Sequence, residues 1–241
     1  MKTYLVTGGA SGIGKAFALD ALSHGHQVII LDKSPKPNDF PVDMAYLVCD
    51  LALKSDLDHA IQTLKDKAMR IDVIVHNAAT SLGGVYSASY EDFGKVMAVN
   101  VQAPFYLTQQ LLPQLNEHAS VLHIASTRAF QAQRDGEAYS ASKGAIVSLT
   151  TALANSLAGK VRVNCITPGW IETGDTKHSV SDEKQHPAHR VGTVEDVIRA
   201  IYFLTDPNQG FIQGANLILD GGMSKRMIYH EDEGWRYDPD Q

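Results

Sequence analysis

Tyr139 and Lys143 stand four residues apart in a segment, residues 138–157, whose composition predicts a helix, so both side chains fall on one helix face. A fixed ammonium beside a phenol favours the phenolate, and the positive charge of an oxidised nicotinamide would add to that pull. Together they would bring a group whose ordinary pKa is about 10 toward working pH. That is acid/base chemistry suited to an alcohol or a carbonyl. Ser126 ends the apolar run at residues 121–125, where its hydroxyl could orient a substrate oxygen. Taken alone, a tyrosine and a lysine at this spacing equally describe a pair on a helix surface.

The second chemical signature is Thr7-Gly8-Gly9-Ala10-Ser11-Gly12-Ile13-Gly14, between the first apolar run and the first helical segment. A tight glycine turn there lets backbone N–H groups and a helix N-terminus face a pyrophosphate. The spacing of Gly8, Gly12 and Gly14 is not GxGxxG, and a plain strand–helix connection would use similar residues. Asp32 shifts the balance. It ends the second run, where a carboxylate bonds the adenosine ribose hydroxyls and repels a 2′-phosphate. NAD is therefore favoured over NADP, with the adjacent Lys33 pointing the other way.

Positioning these residues requires a frame. Short β-branched runs at residues 4–7, 27–31, 45–49, 73–75, 121–125, 161–166 and 216–219 alternate with helical segments at 12–23, 55–68, 93–116, 138–157 and 194–204. This is the pattern of an α/β fold, a doubly wound parallel sheet of about seven strands with helices on both faces. Several runs are almost wholly apolar, as strands buried on both faces are. A chain of 241 residues, 44% hydrophobic, supplies one core and hence one domain. The net charge of −6 and the absence of a Lys/Arg run exclude nucleic acid and an anionic membrane surface as expected partners. No stretch approaches the roughly 18 apolar residues of a membrane span, and too few apolar residues precede Gly8 for a signal segment, so a soluble cytoplasmic protein is expected. Cys49 and Cys165 lie in apolar runs and are expected as buried, reduced thiols.

In these features together the chain resembles the short-chain dehydrogenase/reductase superfamily, in its compact branch. The resemblance covers nearly the whole sequence. It runs through the glycine turn and Asp32, Asp50-Leu51 after the third strand, His76-Asn77-Ala78-Ala79 after the fourth, and Val99-Asn100. It continues through Ser126, Tyr139 with Lys143, Pro168-Gly169-Trp170-Ile171-Glu172-Thr173 and Asp220-Gly221-Gly222. It implies a tetrad: Tyr139 transfers the proton, Lys143 holds the ribose and lowers the tyrosine pKa, Ser126 positions the carbonyl, and Asn100 holds a water. It also implies that Gly8, Ser11 and Ile13, with Gly12 and Gly14, form the phosphate turn, and that Asp50 and Leu51 meet the adenine. Asn77, Ala78 and Ala79 would lie along the cofactor ribose. Pro168, Gly169, Ile171 and Thr173 would lie by the nicotinamide, the last two holding its carboxamide. Two departures concern fit: Ala79 brings a methyl where the family has glycine, and Ala103 stands where relatives often have glycine. The resemblance further implies a homo-oligomer, a tetramer or dimer built on segments 93–116 and 138–157.

The function expected is NAD-dependent interconversion of a secondary alcohol and a ketone or aldehyde. A catalytically silent nicotinamide sensor is the rival, but a sensor needs no proton donor, and Asn100, Ser126, Tyr139 and Lys143 are all present. An epimerase of the extended branch would need a longer substrate domain. Residues 1–222 form the expected dinucleotide-binding domain, including a substrate loop at 174–192 that is polar and suits small or polyhydroxylated substrates. His178, His186 and His189 lack the company of a defined ligand set, so no metal is expected. The tail, residues 223–241, mixes acidic residues with Met227, Ile228, Tyr229, Trp235 and Tyr237, and is expected to dock on the protein or on a neighbouring subunit.

Overall fold

In the apolar runs successive side chains must face opposite sides, so a run that is apolar throughout has to be covered twice. A computed structural model describes residues 1–174, 176–236 and 238. In chain order the elements are β1 Thr3–Thr7, α1 Gly12–Ser23, β2 Gln27–Asp32, β3 Ala45–Val48, α2 Lys54–Asp66, β4 Ile71–His76, α3 Tyr90–Met97, α4 Ala103–Leu111 and β5 Leu115–Ile124. There follow α5 Glu137–Ser156, β6 Arg162–Pro168, β7 Ile171–Glu172, α6 Val180–Lys184, β8 Gly192–Thr193, α7 Val194–Thr205 and β9 Asn216–Leu219. Seven strands pair in parallel in the order β3-β2-β1-β4-β5-β6-β9. The chain moves outward from β1 in one direction and then returns to its other side with β4, which leaves a crevice at the carboxyl ends of these two strands.

Alternation within each strand divides the core. Leu5, Ile29 and Leu31 face α2 and α4, packing with Leu57, Leu64, Leu107 and Leu111. Tyr4, Val6 and Ile30 face α1 and α7, packing with Phe17, Val197 and Ile201. Tyr4 and Phe17 meet edge to face at 5.1 Å. Cys49 and Cys165 are buried and free. No described helix is long and apolar enough to cross a membrane.

One expectation needs correction. The segment 93–116 is not one helix. α3 passes into a π-helical turn at Ala98–Gln102, α4 stops at Leu111, and β5 begins at Leu115 after one tight turn. Pro113 brings no N–H to continue the helical ladder, and Leu115 is already extended. Within residues 176–192 the expected substrate loop is locally ordered. It contains α6, opened by a capping box in which Ser179 Oγ accepts from Asp182 N at 3.2 Å while the Asp182 carboxylate accepts from Ser179 N at 2.8 Å. Its ends are drawn together where β7 pairs with β8. The tail folds back only in part. Arg226 donates to the Lys184 carbonyl at 2.6 Å and pairs with Glu233, whereas Met227 and Tyr229 are exposed on this chain. Tyr237 lies outside the described residues.

Two glycines test the packing in opposite directions. A methyl at Gly14, buried in α1, would stand 2.2 Å from the Gly8 carbonyl oxygen, whereas one at the exposed Gly94 in α3 would meet nothing within 4 Å. Gly14→Ala is expected to lower stability by about 1–3 kcal/mol by overpacking. Gly94→Ala should raise it by about 0.5–1 kcal/mol through the lower entropy of the unfolded chain. Urea midpoints read both, and shifts of the same sign would contradict this packing.

Candidate active site

The strand ends at the β1/β4 crevice are stitched by short bonds. Thr7 Oγ1 accepts from the backbone N–H of both Asn77 and Ala78 at 3.1 Å. The Asn77 side-chain amide returns two donations, to Thr7 O at 3.0 Å and Gly8 O at 2.9 Å. The strands therefore approach so closely that a Cβ on Gly8 would lie 2.7 Å from Ala78 Cα, and Gly8 has φ +67°, a region that disfavours other residues. Asp32 ties the same turn to β2, its carboxylate accepting from Ala10 N at 2.9 Å and Ser34 N at 2.8 Å. Ser11 precedes α1 without capping it, and no acidic residue occupies the first helical turn. The helix thus presents its unpaired N–H groups and positive dipole end to the crevice.

A cleft of about 320 Å³ opens there. Gly8, Ser11, Gly12 and Ile13 of the glycine turn line it, as does Asp32 at the end of β2. Asp50 and Leu51 contribute from beyond β3, and Asn77, Ala78 and Ala79 from beyond β4. Thr173 reaches back from beyond β7, its methyl 3.8 Å from where a Cβ of Gly12 would be. Other expected residues stand off the wall. Gly14 packs on Gly8, and Gly169 packs on Asp220, where a Cβ would be only 2.7 Å away. Pro168 ends β6 beside Leu219, and Ile171 pairs with Gly192. Lys33 lines the cleft beside Asp32, and Ser34, Thr80 and Lys95, which were not anticipated, line it too. A signal existed for Lys95, which stands one helical turn before Val99, and for Thr80, the residue after Ala79.

Tyr139 and Lys143 open α5 beside the end of β5. Lys143 is 3% exposed; its ammonium donates to the Ile124 carbonyl at 2.8 Å and lies 5.4 Å from the Tyr139 ring centre. Burial without a carboxylate pushes this amine down to about 8. Burial pushes the Tyr139 phenol up, while the Ser126 hydroxyl and the charge of Arg128 pull it down. Burial outweighs the pull of Ser126 and Arg128 on the phenol. Ser126 comes from the strand end, extended, its hydroxyl accepting from Arg128 N at 3.2 Å. Asn100 sits in the π-helical turn, a register shift that turns its amide inward. It accepts from Thr80 N at 2.8 Å and donates to Thr80 O at 3.0 Å and Ser142 Oγ at 2.9 Å. Asn100 thereby ties the β4–α3 loop to α5, one residue before Lys143.

The arrangement has close relatives. The family model described as enoyl-(acyl carrier protein) reductase matches residues 8–224. An uncharacterized oxidoreductase of Thermotoga maritima is 34% identical, covering 95% of this chain and 98% of its own length. The structure of an apo SCOR enzyme from Clostridium thermocellum superposes with a TM-score of 0.91 at 41% identity, covering 98% of each chain. That of a 3-ketoacyl-(acyl-carrier-protein) reductase from Brucella melitensis, complexed with NADH, does so with a TM-score of 0.81 at 28% identity, covering 92% of this chain and 98% of that one. The chain belongs to the short-chain dehydrogenase/reductase superfamily and is an oxidoreductase by descent.

Beneath the site lies a polar pair that the sequence did not announce. His76 and His123 are cross-strand partners on β4 and β5, both buried, with rings stacked at 5.2 Å. His76 Nε2 meets Thr108 Oγ1 of α4 at 2.9 Å, and His123 Nδ1 meets Thr150 Oγ1 of α5 at 2.9 Å. Thr150 gives its one hydroxyl proton to the Ile146 carbonyl, so His123 Nδ1 carries the proton between them. Burial holds His76 well below the usual histidine range and pushes His123 down to about 3, the Lys143 charge adding to the latter. Unfolded, both imidazoles take up protons near pH 6.5, so the stability held at neutral pH is lost as pH falls from about 6.5 toward about 3. His123→Leu is expected to flatten that slope by up to about 1.4 kcal/mol per pH unit, measured by urea unfolding at pH 4–7. An unchanged slope would show that His123 does not titrate in this way.

Proposed function

We propose that the chain is a nicotinamide-dependent oxidoreductase, preferring NAD, that interconverts a secondary alcohol and a ketone or aldehyde with Tyr139 as acid/base. What carries the reading is the meeting of Ser126, Tyr139 and Lys143 at the end of β5, beside a cleft whose glycine turn has no room for a side chain at Gly8 or Gly14 and whose helix end lacks an acidic cap. Such a cradle fits a dinucleotide: backbone N–H groups for the pyrophosphate, Asp32 for the ribose hydroxyls, and Thr173 and Ile171 toward the nicotinamide. The bound NADH of the Brucella reductase supports the same class of cofactor. The cofactor, when bound, supplies a two-electron acceptor or donor next to the substrate carbon.

In the oxidising direction Ser126 orients the substrate hydroxyl and the Tyr139 oxygen takes its proton; in reduction the phenol returns it. Burial alone keeps the phenol protonated, so the phenolate needs added positive charge, which Lys143, Arg128 and an oxidised nicotinamide ring would contribute. Asn100 holds the β4–α3 loop and α5 in register around these groups. The substrate is a small alcohol or carbonyl compound, and the same reading takes the working form as a homo-oligomer assembled through α4 and α5, with exposed Phe105 on that face in support.

Tyr139→Phe is expected to bind NAD as the wild type does and to lose about 10²- to 10⁴-fold in kcat. The assay follows reduced nicotinamide absorbance over secondary alcohols, sugars and polyols with NAD and NADP in parallel. Wild-type turnover in the variant would remove Tyr139 from the chemistry, and faster turnover with NADP would reverse the cofactor preference.

A further inference from the structure

Arg128 is a guanidinium that the mechanism above uses only as distant charge, and its placement asks for more. It follows Ser126 by two residues, in the short turn Thr127–Ala129 that packs against the start of α5. Its Nη1 lies 3.2 Å from where a Cβ of Gly136 would stand, and Gly136 immediately precedes the helix that carries Tyr139. The side chain is half-buried and steadied by the side-chain carbonyl of Gln133. Among the described residues no carboxylate forms an ion pair with it.

The two carboxylates that flank Gly136 accept hydrogen bonds from the loop at residues 85–87. Asp135 accepts from Tyr86 N at 2.8 Å and from the Ser87 hydroxyl, and Glu137 accepts from Val85 N at 2.9 Å. Other cations of the region are also accounted for. Arg134 lies over the Tyr86 ring at 4.9 Å, Lys143 is bonded to the Ile124 carbonyl, and Lys95 lines the dinucleotide cleft. Arg128 is absent from the wall of that cleft, while its charge reaches the Tyr139 phenol, so the anion it suits lies beside the reacting oxygen rather than at the cofactor phosphate.

We infer that Arg128 anchors the carboxylate of the substrate, making the alcohol a short hydroxy acid and the carbonyl compound the corresponding keto acid. A planar guanidinium fixed by a neighbouring amide matches a carboxylate with two parallel hydrogen bonds, which sets both the distance and the orientation of the attached carbon chain. A half-buried cation without a counter-ion also gains more from an anionic ligand than an exposed one does. This rests on the oxidoreductase reading and narrows its substrate. The carboxylate itself is unchanged in the reaction: the C–H bond breaks with its electron pair and hydrogen passing to the oxidised nicotinamide, the O–H proton passes to Tyr139, and the C–O bond becomes a carbonyl.

The test compares each acid with its methyl ester: lactate, 2-hydroxybutyrate and 3-hydroxybutyrate, in the wild type, Arg128→Gln and Arg128→Lys. Because the ester keeps the reacting carbon and loses the charge, the acid-to-ester ratio of kcat/KM cancels any effect of Arg128 on the Tyr139 phenol. The wild type should favour an acid, and Arg128→Gln should lower that ratio about 10- to 100-fold, mainly through KM, with Arg128→Lys between the two. Esters and neutral alcohols turned over as well as acids, or a ratio unmoved in Arg128→Gln, would overturn the inference while leaving the oxidoreductase reading standing. If neither acids nor esters are oxidised, saturation-transfer NMR with pyruvate and acetoacetate decides it without turnover. A signal in the wild type that Arg128→Gln abolishes supports the anion site, and no signal with either keto acid refutes it.

Discussion

Seven parallel strands must send all their carboxyl ends to one edge, and that single constraint organises the protein. Backbone carbonyls and the residues just beyond them crowd together there, so the edge has to be closed by contacts between chain segments remote in sequence. Thr7, Gly8, Asn77 and Ala78 provide the closure at the switch between β1 and β4, through four hydrogen bonds of 2.9–3.1 Å. The tightness of that stitch is what excludes side chains from Gly8 and Gly14. The same tightness leaves the N-terminal N–H groups of α1 uncovered, so a packing requirement and an anion-receptive surface have one cause.

Electrostatics around Tyr139 follows a second rule: nearby carboxylates are spent on backbone N–H groups, and Lys143 and Arg128 form no ion pair among the described residues. Asp32, Asp135 and Glu137 all accept from main-chain donors of neighbouring loops, which fixes those loops. Lys143 is left with a carbonyl, and Arg128 with an amide. Burial drives the Lys143 amine down to about 8 and the neighbouring Cys165 thiol up to about 11, both toward neutral forms. An added charge in this region, from substrate or cofactor, therefore acts through a medium with few internal counter-ions. That makes the protonation of Tyr139 responsive to what is bound.

The histidine pair illustrates how the layers are held in register beneath the site. His76 ties β4 to α4 through Thr108, and His123 ties β5 to α5 through Thr150. Since Tyr139 and Lys143 ride on α5, the sheet-to-helix bond at Thr150 and the loop-to-helix bond from Asn100 to Ser142 restrain the same helix from two sides. Neither restraint involves a charged group, consistent with the cost of burying one.

Much of this was readable in advance, and the pattern of what was not is physical. The seven main strands stood out because a strand covered on both faces is a continuous apolar run, and the glycine turn because positive φ and close approach demand glycine. β7 and β8, two residues each, carry no periodicity to detect. The π-helical turn between α3 and α4 was hidden because Asn100 finds its partners at Thr80 and Ser142, 20 and 42 positions away. The sequence by itself determined which residues stand at strand ends and helix starts, since period, caps and turn chemistry are encoded within a few neighbouring residues. Only the tertiary structure decided that His76 stacks on His123, and that among the described residues neither the buried Lys143 nor Arg128, whose charge reaches Tyr139, forms an ion pair with a carboxylate. These outcomes depend on register between strands and on which distant groups are left to neutralise one another.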